Sequence, residues 1–274
     1  MIIHSNRIDG EHAMTRLHAI GILLLGAALA LGLPAPPGLA GQAAGGDSCV
    51  ECHSNPDFLV QNKKLYDYYQ QWDTSVHSQE DVACFDCHGG NPQAEDKDGA
   101  HGDGVDESSE HSGINFKNVS NTCGHCHDEI LEGFKTSQHF EHVLANKQEK
   151  QGPTCVTCHG SINVGILNVT SVKASCARCH NEETDNHPEN PEKAQSVLNH
   201  FLSIHRFYRY LTTRMNPAEA KAFFSEIDVR MRKLSVTWHT FDLDAIEEGT
   251  AEVLTLLKAK RDEIRSRRAA AKAK

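Results

Sequence analysis

The sequence predicts a mainly α chain in two parts: a loop-rich domain whose interior the polypeptide fills only in part, and a C-terminal helical extension. Three observations lead there. Cysteine is confined to Cys49–Cys179 and recurs at one spacing. That stretch is punctuated by Gly, Asn and Asp, and from about residue 190 onward apolar residues recur at helical spacing. Aromatics make up 6% of the 274 residues and mean hydropathy is −0.49, which is little hydrocarbon for a self-sufficient core. The formal charge of −10 argues against a nucleic-acid binder, which needs a clustered basic face.

Residues 1–40 read as an export signal. Arg16 precedes an unbroken apolar run from Ala19 to Leu33, followed by Pro34, Pro36, Pro37 and small residues around Ala40. Asp9 and Glu11 are unusual in such a leader, and a start at Met14 would remove them. The alternative is a retained anchor, but 15 apolar residues fall short of the ~20 that span a bilayer as a helix. Membrane contact is expected only if this segment is retained, and the location expected is periplasmic or otherwise extracytoplasmic.

All ten cysteines fall into C-x-x-C pairs: Cys49/Cys52, Cys84/Cys87, Cys123/Cys126, Cys155/Cys158 and Cys176/Cys179. Each pair is followed at once by a histidine, namely His53, His88, His127, His159 and His180. C-x-x-C-H is the attachment signature of c-type haem: two thiols one helical turn apart add to the vinyl groups, and the imidazole becomes the proximal iron ligand. Zinc knuckles and structural disulfides also use paired cysteines, but neither requires the histidine. The expectation is five covalent haems (heme c).

A low-spin electron-transfer iron needs a sixth ligand. Aligned on its cysteines, the chain repeats an aromatic-x-x-Ser-x-His element, as Trp72-Asp-Thr-Ser75-Val-His77 and Phe134-Lys-Thr-Ser137-Gln-His139. Both copies run on into C-x-x-C-H-Gly, and a third Ser-x-His, Ser203-Ile-His205, has no haem motif after it. This register makes His77, His139 and His205 candidate distal ligands. His111, twelve residues before Cys123, is a fourth candidate, and His142, His187, His200 and His239 compete for the fifth place. Beyond the signal only Met215 and Met231 remain, so bis-histidine ligation and low potentials are expected.

The domain expected over 45–215 carries short ligand-bearing helices, Leu65 to His77 and Glu129 to His142. Glu95 to Glu110 reads as a solvated loop that departs from EF-hand spacing. Glu192 to Arg214 reads as a helix aiming His205 inward. The segment 216–274 then gives a helix with Asn216 as N-cap and Pro217 at its first position, running to about Leu234. A last helix, Asp244 to Arg268, is expected to fray into a basic tail of Arg265, Arg267, Arg268, Lys272 and Lys274.

The run of C-x-x-C-H, aromatic-x-x-Ser-x-His, C-x-x-C-H-Gly and a helical tail, over roughly Ser48 to Tyr210, resembles the multihaem cytochromes c related to hydroxylamine oxidoreductase and its tetrahaem electron-accepting partner. The resemblance implies haems in close parallel and perpendicular pairs, bis-histidine ligation at most sites and a periplasmic location. The octahaem enzymes of that group have eight attachment sites against five here, and this chain lacks the C-x-x-C-Lys of pentahaem nitrite reductases. The function expected is electron transfer with quinol-linked or periplasmic cytochrome partners. The alternative is a small redox enzyme acting on hydroxylamine, nitrite or a sulfur oxyanion at a five-coordinate haem.

Overall fold

The computed structural model describes residues 47–102, 104–145, 152–165 and 167–273; the export signal expected over 1–40 lies outside them. The described residues are mainly helical and contain no strand. The cysteine-bearing part holds short helices joined by turns: α1 Ser48–His53, α2 Asp57–Gln61, α3 Lys63–Asp73, α4 Val76–Gln79, α5 Cys84–His88, α6 Lys97–His101, α7 Val119–Gly124, α8 Asp128–Lys135, α9 Gln138–Ala145, α10 Cys155–His159 and α11 Val169–Ala177. Three long helices follow, α12 Asn190–Thr212, α13 Pro217–Trp238 and α14 Leu243–Lys272. None of the described helices is long and apolar enough to cross a membrane.

Apolar burial is concentrated in the three long helices. Phe201, Ile204 and Leu211 of α12 meet Ile227, Met231 and Leu234 of α13 and Val253 and Leu257 of α14, with Val172 of α11 joining them. Across the described part of 47–165 the buried apolar side chains are Val119, Phe134 and Val143, while Ser75, Ser112, Ser120, Ser137 and Thr154 are buried hydroxyls. The hydrocarbon core belongs to the C-terminal helices, and the cysteine-bearing part is organised around polar segments.

Helix ends follow from local chemistry. Asn216 caps α13 by accepting from the Glu219 N–H at 2.9 Å, and Asp242 caps α14 by accepting from Ala245 at 3.0 Å. Each closes a donor that the first turn leaves unpaired. After α5 and α10 the chain reverses at Gly89 and Gly160, with φ of 71° and 87°. A side chain would strain both positions, which accounts for the glycine in C-x-x-C-H-Gly.

Several expected boundaries are corrected. The single helices expected over Leu65 to His77 and Glu129 to His142 are each broken, at Thr74–Ser75 and Thr136–Ser137. Glu95 to Glu110 is not all loop, because Asp96 accepts from the Gly99 N–H at 2.8 Å and starts α6. The tail expected to fray is helical to Lys272. Glu219 of α13 accepts from Lys260 at 2.8 Å and from Arg267 at 2.6 Å, tying the last turns of α14 back to its neighbour.

Candidate haem-binding sites

Each attachment motif lies on a short helix or at the end of one, so that its two thiols are separated by a single turn. In α5 the Asp86 carboxylate accepts from the Ala83 N–H at 2.8 Å, and in α10 the Thr157 hydroxyl accepts from the Thr154 N–H at 2.9 Å. The variable residues between the cysteines thus serve as reciprocal caps. Among the described residues no three His, Cys, Asp or Glu side chains converge on one metal position, so the thiols do not assemble into tetrahedral zinc sets.

The ten thiols, alike in the sequence, differ in their surroundings. Cys49, Cys84, Cys87, Cys123, Cys155, Cys158 and Cys176 are half-buried, whereas Cys52, Cys126 and Cys179, the second thiols of the first, third and fifth motifs, are exposed. In α1 the turn that half-buries Cys49 presents Cys52 to solvent. The structure therefore gives Cys52 no enclosing pocket of protein, and its place in the first site rests on its spacing from Cys49 and His53.

Successive motifs are neighbours. Burial and Asp47 push the Cys49 thiol up to about 12, with Cys84 of the second motif adding to the effect. Burial and Asp86 raise Cys87, and Cys126 of the third motif raises it further. The Cys123 and Cys155 thiols of the third and fourth motifs act on each other: Cys155, with burial, raises Cys123, and Cys123 lowers Cys155. Burial raises the Cys158 thiol, which also feels Cys179 of the fifth motif. Burial and then Cys158 push the Cys176 thiol up to about 11. Arg178, inside the fifth motif, donates to the Thr157 carbonyl inside the fourth.

Four of the proximal imidazoles face a second imidazole. The ring centroids of His53 and His101 are 6.2 Å apart, those of His77 and His127 6.4 Å, those of His139 and His180 5.9 Å and those of His159 and His239 6.1 Å. An iron bonded to an imidazole on each side at about 2 Å, with roughly 1 Å more from each nitrogen to its ring centre, separates the centroids by about 6 Å. The residues present fit that requirement. Tautomers fit it too: with the proton placed on Nδ1, His159 donates to Gly165 O at 2.9 Å, His180 to Asn186 O at 2.7 Å and His239 to Ser235 O at 2.7 Å. This leaves Nε2 of each ring as the metal-facing lone pair.

Neutral imidazole is the ligating form. Burial holds His139 down to about 4, with His180 and His142 adding to the shift. Burial likewise lowers His53, His88, His127 and His239. Nδ1 of His139 and Nε2 of His205 are buried without a hydrogen-bond partner.

The aromatic-x-x-Ser-x-His element has a physical origin. Ser75 and Ser137, 1% and 2% exposed, end one helix and cap the next. Ser75 Oγ accepts from the Ser78 N–H at 3.2 Å, and Ser137 Oγ from the Phe140 N–H at 3.1 Å. The histidine two positions on is then held in the first turn of a new short helix. Ser203-x-His205 does not share this geometry: α12 runs unbroken through it, and Ser203 Oγ donates to Asn199 O at 3.0 Å within that helix. His205 lies beside Phe201, with ring centroids 5.9 Å apart, and none of the described proximal rings is paired with it.

The other candidates are more exposed. His111 is exposed and lies two residues before Gly113, where a Cβ would come within 2.7 Å of the Cys87 carbonyl oxygen; this segment therefore runs along the second motif. His187 also approaches His180, at 6.4 Å, but is exposed and held by Glu189. His142 and His200 are exposed. His101 is the partner that pattern reasoning missed, because its run of Asp and Gly reads as loop. The usable signal was Asp96, an N-cap five residues before the histidine.

Comparison with known families matches residues 107–181 to the family described as Cytochrome c7 and related cytochrome c. The match covers the third, fourth and fifth motifs and supports a multihaem c-type cytochrome with covalent haem and a role in electron transfer. No curated protein and no solved structure matches the chain.

Proposed function

We propose that the chain is an exported electron carrier, holding five haems covalently and passing electrons along them between a low-potential donor and a terminal reductase or extracellular acceptor. The observation that carries this reading is that each attachment motif lies beside the next: α1 packs on α5, α7 on α10 and α10 on α11, Gly113, on the approach to the third motif, lies against the Cys87 carbonyl of the second, and Arg178 of the fifth donates to the Thr157 carbonyl of the fourth. Cofactors attached to neighbouring turns are near enough to exchange electrons. When bound, haem supplies a one-electron couple at each site.

The chain's own part is to hold and tune. The ten motif cysteines attach, the exposed Cys52, Cys126 and Cys179 among them, and His53, His88, His127, His159 and His180 serve as proximal ligands. His101, His77, His239 and His139 are the distal ligands of the first, third, fourth and fifth sites, and His111, beside the second motif, is the candidate for the remaining one. Nδ1–H bonds to backbone carbonyls orient the His159, His180 and His239 rings and raise their donor strength. Two imidazoles per iron keep potentials below those of Met-ligated haems. Export rests on Arg16 and the apolar run Ala19 to Leu33, and the partners expected are redox proteins, quinol-linked or periplasmic.

The test is intact mass together with kinetics on purified, matured protein. Five haem additions on a chain that has lost about its first 40 residues, with rapid reduction of all five by a low-potential dye, are expected. Fewer haems would refute the count, and turnover of hydroxylamine, nitrite or a sulfur oxyanion would refute the carrier.

A further inference from the structure

The C-terminal hairpin carries no cysteine, yet its turn reaches two haem sites. His239 ends α13 as its C-cap, its Nδ1 fixed on Ser235 O at 2.7 Å. Its ring stands 6.1 Å from His159 with the planes 23° apart. Two residues on, Phe241 lies edge-to-face on His139, the partner of His180, with centroids 4.2 Å apart and planes at 67°. The same ring meets the buried Phe134 at 6.2 Å.

Phe241 holds this position at φ +60°. A bulky residue in the left-handed region is strained, and such strain persists only where surrounding contacts fix it. Here those contacts are the two rings. His239 and Phe241 point at the fourth and fifth sites from one turn because α13 is docked on α8. The contact is close enough that a Cβ on the buried Gly133 would be 2.8 Å from the Val236 carbonyl oxygen. Pro217–Trp238 therefore acts as a strut, with its start capped at Asn216 and its end placed by Gly133.

We infer that the His239–Phe241 turn completes the last two haem sites: His239 is the sixth ligand opposite His159, and Phe241 is the positioning residue that keeps His139 on the site of His180. This rests on the five-haem reading above, and it makes the hairpin part of the coordination machinery. Among the described residues the groups near His239 include the His159 ring, the Ser235 carbonyl and, acting electrostatically, His127, and those against the Phe241 ring include His139 and Phe134.

The experiment uses the full matured chain, with haem counted by intact mass in every variant. His239→Ala is expected to keep five haems and convert one of the five from low to high spin. Added imidazole should restore it, and the other four should stay unchanged. His239→Met keeps a sixth ligand and is expected to leave all five low-spin while raising the midpoint potential of one. Phe241→Ala is expected to keep five low-spin haems in the oxidised protein but let one bind carbon monoxide on reduction, which the parent and a Phe223→Ala control, packed against the C-terminal helical core, do not. If His239→Ala retains five haems that are all low-spin, and His239→Met moves no potential, the ligand assignment is wrong while the five-haem reading stands. If Phe241→Ala matches the parent toward carbon monoxide, the positioning role is wrong. A parent mass short of five haems would sink the underlying reading instead.

Discussion

Replacing Gly133 by alanine separates two effects of opposite sign. In an exposed helix the change stabilises by about 1 kcal/mol, because glycine spends more backbone entropy on folding. At Gly133 the new Cβ would sit 2.8 Å from Val236 O and 2.9 Å from Val236 Cγ1, against about 3.4 Å where ordinary contact begins. The shortfall against the carbonyl is about 0.6 Å, the difference between 3.4 and 2.8 Å. A backbone carbonyl cannot rotate away, so α8 and α13 must part. Overpacking of this kind costs about 1–3 kcal/mol, and the rigid partner places it in the upper half of that range. The net effect expected is a loss of about 1–2 kcal/mol. At about 2–4 °C per kcal/mol for a chain of this size, Tm should fall by roughly 2–8 °C. Thermal melts followed by helix ellipticity and by the Soret band, parent against Gly133→Ala, read this out. Val236 is three residues before His239, so the variant should also show a larger high-spin fraction at room temperature. An unchanged or higher Tm would refute the docking of α13 on α8.

Ser137→Ala removes the cap from the helix bearing His139 and should cost about 1 kcal/mol, whereas Ser203→Ala, in the unbroken α12, should stay within about 0.5 kcal/mol; equal effects in denaturant titrations would undo the distinction between the copies. Arg178→Ala removes the cation that joins the fifth motif to the fourth. Haem count should hold while one or two midpoint potentials fall, on the order of tens of millivolts, in a redox titration; a rise would contradict the electrostatic sign. Ligand planes 73° apart at His53/His101 and 23° apart at His159/His239 should give one strongly anisotropic and one rhombic low-spin signal in electron paramagnetic resonance, and the first should vanish in His101→Ala.

What the sequence could reveal depended on whether a residue's role is set locally. The motif thiols and their histidine act within one turn, so spacing alone finds them. Spacing does not report their surroundings, which is why Cys49 and Cys52 look equivalent as letters while only Cys49 is half-buried. Ser75 and Ser137 were visible because a cap and its histidine are two positions apart, although periodicity ran straight through both helix breaks. Ser203-Ile-His205 copies the Ser-x-His letters with His200 in the aromatic position and no motif after it, and the hydrogen bond to Asn199 shows that the helix runs on through it. The partner of His53 was hidden because Asp and Gly around His101 read as solvent-facing loop. The C-terminal helices were clear from their apolar stripes and caps. The extension of α14 to Lys272 depends on Glu219, 48 residues before Arg267 and invisible to any local pattern.

The proposed ligand pairs also set an order of assembly. His77 precedes His127 by 50 residues and His139 precedes His180 by 41, while His101 follows His53 by 48 and His239 follows His159 by 80. On a chain emerging from its N-terminus, the third and fifth sites find their distal imidazole already present when the motif appears. The first and fourth must wait for theirs. Each closure removes loop freedom from the unfolded chain, worth about 4 kcal/mol for loops of 40–80 residues on the chain-entropy scale. The fourth closes last, because it needs the turn after Trp238. A chain stopped anywhere before that turn would leave the fourth site without its proposed distal ligand and the fifth without the ring that positions His139.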